Sequence, residues 1–312
     1  MWRIETSREL GDDDFKAVSI LLETAQSHDG SPPLSDHLLL ALAHRGGPGF
    51  AVVMAFDASD QLVGYAQLAR ANNTTVIELV ITPSERDEVE SSASRLLRSA
   101  LEVVTSEGGG TVNWWVHRPG DRTEAIAAEV GLRLGRRLLQ MRRSLPIHET
   151  TTVDTRSFVV GRDEQEWLRV NNAAFHDHPE QGGWTLDTLR DRQAEPWFDP
   201  EGFRLHERDG KLAAFCWTKV HADESPPMGE IYVIAVDPQF HGLGLGKALT
   251  IAGLEHLGKQ GLTVGMLHVD GANTAALGMY ERLGFTVHHA DHAYVANTTT
   301  TTSGTDTTGA HP

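Results

Sequence analysis

The sharpest chemistry in the sequence sits where an apolar run, Ile231-Tyr-Val-Ile-Ala-Val236, passes through Asp237-Pro238 into His241-Gly242-Leu243-Gly244-Leu245-Gly246-Lys247. Beyond the turn, Leu245, Ala248, Leu249 and Ala252 recur at helical spacing, so the glycines open an amphipathic helix. Glycines let backbone N–H groups crowd together at a helix N-terminus, where the dipole adds positive potential. That arrangement suits a pyrophosphate. Taken alone, Gly-x-Gly-x-Gly also fits a flexible turn. A dinucleotide site would expect the glycines after the first strand of a βαβ unit, with an acidic residue on the next strand. Here antiparallel-looking strands precede them.

A second motif, Asn273-Thr274-Ala275-Ala276-Leu277-Gly278-Met-Tyr280-Glu-Arg-Leu-Gly-Phe285, reads as an N-capped helix closing on Leu-Gly-Phe. The two motifs together resemble the GNAT acetyltransferase superfamily. That superfamily's loop pattern is Gln/Arg-x-x-Gly-x-Gly/Ala, and His241 departs from its first position. Further blocks narrow the resemblance: Asn171-Asn-Ala-Ala-Phe175, His178-Pro-Glu-Gln-Gly-Gly-Trp184, Trp197-Phe-Asp-Pro200 and Trp217-Thr-Lys-Val-His221 are similar to the mycothiol synthases. The match covers nearly the whole second half and, by position only, the first. It implies acetyl-CoA as cosubstrate, no metal, and an acceptor that is the cysteinyl amine of a cysteine-glucosamine-inositol precursor. Rival readings are a GNAT enzyme for another amine, such as a peptide terminus or aminoglycoside, and a CoA-binding regulatory module without turnover.

The resemblance also implies roles. Glu230 stands at the base position, acting directly or through water. Backbone around Ile234, Ala235 and Val236 polarises the thioester carbonyl, as preorganised donors can without a charged side chain. Tyr280 faces the CoA sulfur, where a phenol can donate to a departing thiolate. The turn from His241 to Lys247 and the helix start from Asn273 to Gly278 flank the cofactor. Asp36, Glu180, Lys219, Glu230 and His268 line the substrate pocket. Asp36 is one methylene shorter than the expected glutamate, and His268 stands where a tyrosine is expected. Without the resemblance, Glu230 reads as a strand-end surface carboxylate, Glu180 as a loop charge and Tyr280 as core packing beside Phe285.

Other reactive-looking groups carry less. His288-His289-x-x-His292 and His176-x-His178 lack acidic or cysteine ligands at zinc-site spacing. Cys216 is the only cysteine, lies in an apolar strand without a neighbouring base, and permits no intrachain disulfide. The 27 basic and 43 acidic residues give a formal charge of −16, a poor match to nucleic acid or anionic lipid. No secretion signal or membrane-length apolar run is evident, so the expectation is a cytoplasmic monomer acting on small molecules.

The elements that must hold these residues come in two copies. Asp60-Gln-Leu-Val-Gly-Tyr65 is echoed by Gly210-Lys-Leu-Ala-Ala-Phe215, Glu78-Leu-Val-Ile-Thr-Pro83 by Val233-Ile-Ala-Val-Asp-Pro238, and Gly131-Leu-Arg-Leu134 by Gly284-Phe-Thr-Val287. Three echoes in order imply duplication. The expected fold is α/β: two tandem GNAT-type domains, each a mixed, largely antiparallel sheet flanked by helices. The first spans 1–145, a Thr-rich linker 146–155, the catalytic domain 156–296, and a disordered Thr-rich tail 297–312. In the first half, helices are expected over 15–25, 36–44, 89–105 and 124–130, and strands over 50–56, 62–68, 75–81, 111–117 and 132–141. Ser35 is the expected N-cap of the helix at 36. Where a first phosphate loop would fall stands Arg86-Asp-Glu-Val-Glu-Ser91, with three carboxylates and no glycine. The first domain therefore reads as a scaffold and pocket wall without acetyl transfer.

Overall fold

The computed structural model describes residues 2–176 and 181–298, apart from the side chains of 87–91. The chain forms two compact units, one of residues 1–137 and 291–312, the other of 138–290. In chain order, unit 1 contains β1 (Arg3–Ser7), α1 (Asp12–Asp29), α2 (Asp36–Ala43), β2 (Phe50–Phe56), β3 (Leu62–Ala71), β4 (Thr74–Ile81), α3 (Val89–Ser106), β5 (Gly110–Val116), α4 (Asp121–Glu129) and the start of β6 (Arg133–Ser144). Every residue of β2 is buried. Its alternation explains why: Ala51, Val53 and Ala55 pack under α3, and Val52 and Met54 pack under α1 and α2. α1 stops at Gly30, whose φ of 69° is left-handed and lets its N–H cap the carbonyl of Gln26.

Unit 2 contains the rest of β6, then β7 (Arg156–Ser157), α5 (Glu164–Ala174), α6 (Leu186–Gln193), β8 (Phe203–Arg208), β9 (Lys211–His221), β10 (Met228–Val236), α7 (Leu245–Lys259), β11 (Val264–Asp270), α8 (Thr274–Arg282) and the start of β12 (Thr286–Thr298). α7 lies on Ala214, Cys216 and Ile231; α5 and α6 cover Phe203, Phe215, Trp217 and Val233 on the opposite face. Trp167 sits edge-on to Trp217 at 5.9 Å within that aromatic layer.

Each sheet has the same order of events: antiparallel neighbours, then one parallel pair joined through a helix. In unit 1, β4 and β5 are parallel and connected by α3. In unit 2, β10 and β11 are parallel and connected by α7. The edges of the units differ from the expected split. Residues 138–144 pair antiparallel with β11 and belong to unit 2, whereas His292–Thr298 pair with β5 and belong to unit 1. Tyr294 lies 2% exposed in the unit 1 core and 5.4 Å from Trp114. A Cβ on Gly135 would fall 2.6 Å from the methyls of Val295, so this close approach requires glycine. The linker region is also packed: Ile147 and Val153 join the core under α7, and Thr151 donates to the carbonyl of Ala248 at 2.8 Å. Asn297 and Thr298, assigned to the tail, continue β12; the remainder of the tail lies outside the described residues.

Candidate active site

The glycine turn ends at Gly244, whose φ of 74° is left-handed, and α7 begins at the next residue. Among the described residues, none of the N–H groups from Gly242 to Lys247 donates to another protein group. Buried amides seldom stay unpaired, but this turn is exposed and its donors remain available to an anion. His241 folds back so that Nε2 donates to the carbonyl of Val236 at 3.1 Å, tying the turn to the end of β10.

β10 itself is interrupted. Its ladder to β9 runs on to Val236 with a register shift between Ile231 and Val233, so Tyr232 is the extra residue of a bulge. Its ladder to β11 ends at Ile231–Leu267. The N–H of Asp237 points to the β9 side, onto the carbonyl of Ala213. By alternation, the N–H groups of Ile234 and Val236 point away from β9, to the side β11 has left. Of the three residues expected to polarise a carbonyl, Ala235 therefore aims its amide at β9, whereas Ile234 and Val236 present theirs on the splayed side.

Asn273 caps α8, its side-chain oxygen accepting from the N–H of Ala276 at 3.1 Å. The segment from Asn273 to Gly278, with Thr274, Ala275 and Leu277, forms the first turns of that helix. Tyr280 follows on α8, 6% exposed and edge-on to Phe285 at 5.8 Å. Burial, with the neighbouring Cys216 adding to it, pushes its pKa above the ordinary phenol value and keeps the ring protonated. A buried phenol that stays protonated packs in the core and still has its O–H to donate. Cys216 is fully buried and burial pushes its thiol up to about 12, which leaves no thiolate for acyl transfer.

The other candidates meet on the opposite face of the same strands. Glu230 is 6% exposed, far from the surface carboxylate its strand-end position suggests. Its Oε2 accepts from Nε2 of His221 at 2.8 Å and its Oε1 from Nδ1 of His268 at 3.0 Å. Burial alone would raise its pKa, but the two imidazole N–H groups together outweigh that and hold the carboxyl below its usual range. The row continues: Gln140 Nε2 meets His268 Nε2 at 3.3 Å, and Arg142 Nε donates to Gln140 Oε1 at 2.7 Å. Arg142 thereby turns the amide group of Gln140 toward His268, whose Nε2 must accept. His268 then carries its proton on Nδ1, the atom that faces Glu230.

Lys219 is the cross-strand partner of Glu230 and is 7% exposed. Its ammonium lies 4.9 Å from the Trp197 ring centre and 5.7 Å from that of Tyr232. Asn172 brackets Trp184, accepting from its N–H and donating to its carbonyl, both at 2.9 Å, and Asn171 donates to the carbonyl of Gln181 at 3.1 Å. The asparagine pair thus holds the far end of the loop that contains Glu180; Glu180 and His178 themselves lie outside the described residues. His288 and His289 meet through their Nδ1 atoms at 2.9 Å.

A profile of the Acetyltransferase (GNAT) family matches residues 166–285, which spans the bulged strand, the turn and α8. The mycothiol acetyltransferase of Thermomonospora curvata is 45% identical over 293 residues, covering 91% of this chain and 94% of that protein. The chain belongs to the mycothiol acetyltransferase family. The Thermobispora bispora member is 44% identical and covers 94% and 98% of the two chains. Among solved structures, a tandem GNAT protein from the clavulanic acid biosynthesis pathway aligns with a TM-score of 0.66 at 15% identity, over 95% of this chain and 98% of that one. A GCN5-related N-acetyltransferase from Sphaerobacter thermophilus aligns at 0.64 with 20% identity, over 94% and 95%. These last two share the fold. As a member of the mycothiol acetyltransferase family, the chain is an acetyl-CoA-dependent N-acetyltransferase.

In unit 1 the counterpart strand β4 pairs with β3 without a register shift, although its parallel ladder to β5 also stops early, at Glu78–Trp115. Asp36 opens α2 there. Ser35 occupies the N-cap position but its hydroxyl does not cap the helix; it meets His37 Nδ1 at 3.0 Å, while its N–H donates to the buried carboxylate of Glu78 at 2.8 Å. The expected acidic turn at Asp87, Glu88 and Glu90 lies outside the described side chains. Three functional-looking residues of unit 2 escaped the sequence: His221 was only the last letter of a family block, and Gln140 and Arg142 carried no motif. The alternation Trp217, Lys219, His221 along β9 was the available signal that His221 shares a face with Lys219.

Proposed function

We propose that unit 2 moves the acetyl group of acetyl-CoA to the cysteinyl amine of a cysteine-glucosamine-inositol precursor, the last step of mycothiol assembly. The observation that carries this reading is the pairing, on one bulged strand, of a buried carboxylate row with a splayed end that leads into an amide-lined turn. The relatives named mycothiol acetyltransferase support the placement in mycothiol assembly, and the acceptor is the one the family resemblance implies. In this reading the amides from Gly242 to Lys247 hold the pyrophosphate, Asn273 and its helix flank the cofactor, and Ile234 and Val236 offer N–H groups to the developing oxyanion. The Glu230 row takes the amine proton, and Tyr280 returns one to the departing thiolate.

An α-amino group titrates near pKa 8, so a sizeable neutral fraction exists at pH 7 and a modest base suffices. Lys219 and His268, and Glu180 by resemblance, read as substrate contacts. Asp36 does so too, and Asp36→Ala should raise the KM for the cysteinyl substrate more than that for acetyl-CoA. Unit 1 is read as a scaffold without acetyl transfer. The deciding experiment measures thiol release from acetyl-CoA with the cysteinyl pseudodisaccharide as acceptor. Turnover with that acceptor supports the reading. Turnover only with peptide or aminoglycoside amines, or CoA binding without release, overturns it. Among the described residues no helix is long and apolar enough to cross a membrane, which suits small soluble substrates.

A further inference from the structure

We propose that Gln140, held by Arg142, is a positioning residue that keeps His268 neutral and protonated at Nδ1, so that Glu230 keeps its negative charge for the acceptor amine. The inference rests on the acetyl-transfer reading of unit 2, with Glu230 as its base, and adds the residues that hold that base ready.

The strands bring these groups to one place. The ladder between β10 and β11 ends at Ile231–Leu267, and His268 is the next residue of β11, where the two strands begin to part. On its other side β11 pairs with β6, which sets Gln140 directly opposite His268 and Arg142 opposite Met266. Alternation puts Gln140 and Arg142 on one face of β6, and a directly opposed pair such as Gln140 and His268 shares a face. Gln140 is 6% exposed, and a polar side chain buried that far needs partners.

Those partners fix its orientation. The Nε of an arginine can only donate, so the Gln140 atom that accepts from Arg142 at 2.7 Å is the carbonyl oxygen, and the amide NH₂ faces Nε2 of His268 at 3.3 Å. A hydrogen on that Nε2 would meet another donor. The ring therefore accepts at Nε2 and donates from Nδ1 to Oε1 of Glu230 at 3.0 Å.

The charged groups around the ring explain why this matters. Glu230 faces it from β10 and Arg142 from β6, while Asp270, two residues along β11, turns one oxygen to the N–H of Ala272 at 2.8 Å. Across the carboxylate, β9 contributes Nε2 of His221 at 2.8 Å and the cross-strand partner Lys219. An imidazolium at 268 would add one more positive neighbour to Glu230 and lower its affinity for a proton. A neutral ring orients the carboxylate without that loss. Unlike a phenol, an imidazole can gain a proton near neutral pH, so a histidine at this place needs a group that opposes it. Gln140 is that group, and the guanidinium of Arg142 acts in the same direction.

The test uses the full-length protein. Gln140→Glu keeps the shape and an acceptor for Arg142, but it presents a carboxylate oxygen to Nε2 and favours a second proton on His268. Nitrogen NMR of histidine-labelled protein at pH 7 should find wild-type His268 with a hydrogen on Nδ1 and a bare Nε2, and both nitrogens protonated in the variant. With acetyl-CoA and the cysteinyl pseudodisaccharide, the variant should lose about tenfold in kcat at pH 7 and recover as pH rises and His268 sheds the added proton. The acid limb of its kcat profile then lies at higher pH than in the wild type, while acetyl-CoA affinity by calorimetry stays unchanged. A purely structural amide would instead lower kcat equally at every pH. In a His268→Tyr background, Gln140→Glu should no longer move the limb, because a phenol cannot take the proton. A hydrogen on Nε2 of wild-type His268, a limb that Gln140→Glu leaves in place, or a shift that persists beside the tyrosine overturns the proposal. If the wild-type protein fails to acetylate the pseudodisaccharide, the substrate reading falls and the NMR arm, which needs no turnover, still decides this one.

Discussion

Glu230→Gln separates shape from charge at the buried carboxylate. The amide keeps the volume, but it presents an NH₂ where one imidazole now donates. One of the two rings must then change tautomer or lose its partner. Turnover should fall about 100-fold or more, with acetyl-CoA binding unchanged in calorimetry. Full turnover of the variant at pH 7 would leave the neutral fraction of the amine as the whole explanation. His268 is the residue-scale surprise. A tyrosine was expected there, and the histidine instead gives Glu230 a second N–H donor. The substitution is chemically specific, because a phenol at that place lacks the second ring nitrogen that Gln140 engages.

At the scale of elements, the turn before α7 and its counterpart in unit 1 behave differently for visible reasons. Gly244→Val places a β-branched side chain at a φ of 74°, a strain of about 1–3 kcal/mol. Acetyl-CoA affinity should drop severely, which calorimetry would read, and unchanged affinity would put the pyrophosphate elsewhere. Gly246 is milder. Its added Cβ would stand 3.8 Å from the sulfur of Met279 and 3.9 Å from Val236, ordinary contacts, so Gly246→Ala should fold normally. Any loss of acetyl-CoA affinity in that variant reports on the ligand rather than the fold.

In unit 1, Arg86 is already engaged. It donates to both oxygens of Asp29 at 2.6 and 2.7 Å and to the carbonyl of Ile81 at 3.0 Å, so its charge is spent inside the unit. That bidentate bond, against an opposing effect of burial, lowers the pKa of Asp29 to about 2. A depressed folded value means the stabilisation is present above the ordinary carboxylate range near 3.9 and fades as pH falls toward 2. Asp29→Asn should flatten the pH dependence of denaturant midpoints between pH 4 and pH 2; an unchanged slope there would count against the pairing.

At the scale of the molecule, unit 1 depends on residues far away in the chain, whereas unit 2 is one continuous stretch. Tyr294 fills the core of unit 1 from the last strand and packs at a tilt against Trp114, on a strand much earlier in the chain. Tyr294→Ala should destabilise unit 1 by about 3–5 kcal/mol, the cost of truncating a buried aromatic. Hydrogen exchange should then show loss of protection in β5, and protection that stays intact would mean the strand is dispensable. The division of labour is tested by Gly244→Val and Gly246→Val together. With unit 1 untouched, turnover should vanish, whereas residual acetyl-CoA-dependent activity would make unit 1 a second active site.

The sequence by itself determined the duplicated α/β plan, the glycine turn, the capped helix at Asn273 and the boundaries of β2, because each depends on local periodicity, glycine conformation or capping. It also carried the resemblance to acetyltransferases, because the glycine turn and the capped helix are both local motifs legible in the letters. Only the tertiary structure decided the rest. Strand pairing is a long-range choice, so nothing local announced that residues 138–144 would join β11 or that β12 would run on past Ala290 to join β5. The bulge at Tyr232 arises from register against β9, which one strand's letters do not contain. The row from Arg142 through Gln140, His268 and Glu230 to His221 draws on four strands, and its members gain their chemistry only by facing one another. A carboxylate at position 230 was legible; that it is buried with both oxygens occupied was not, because burial and hydrogen-bond partners are properties of the folded neighbourhood rather than of the residue.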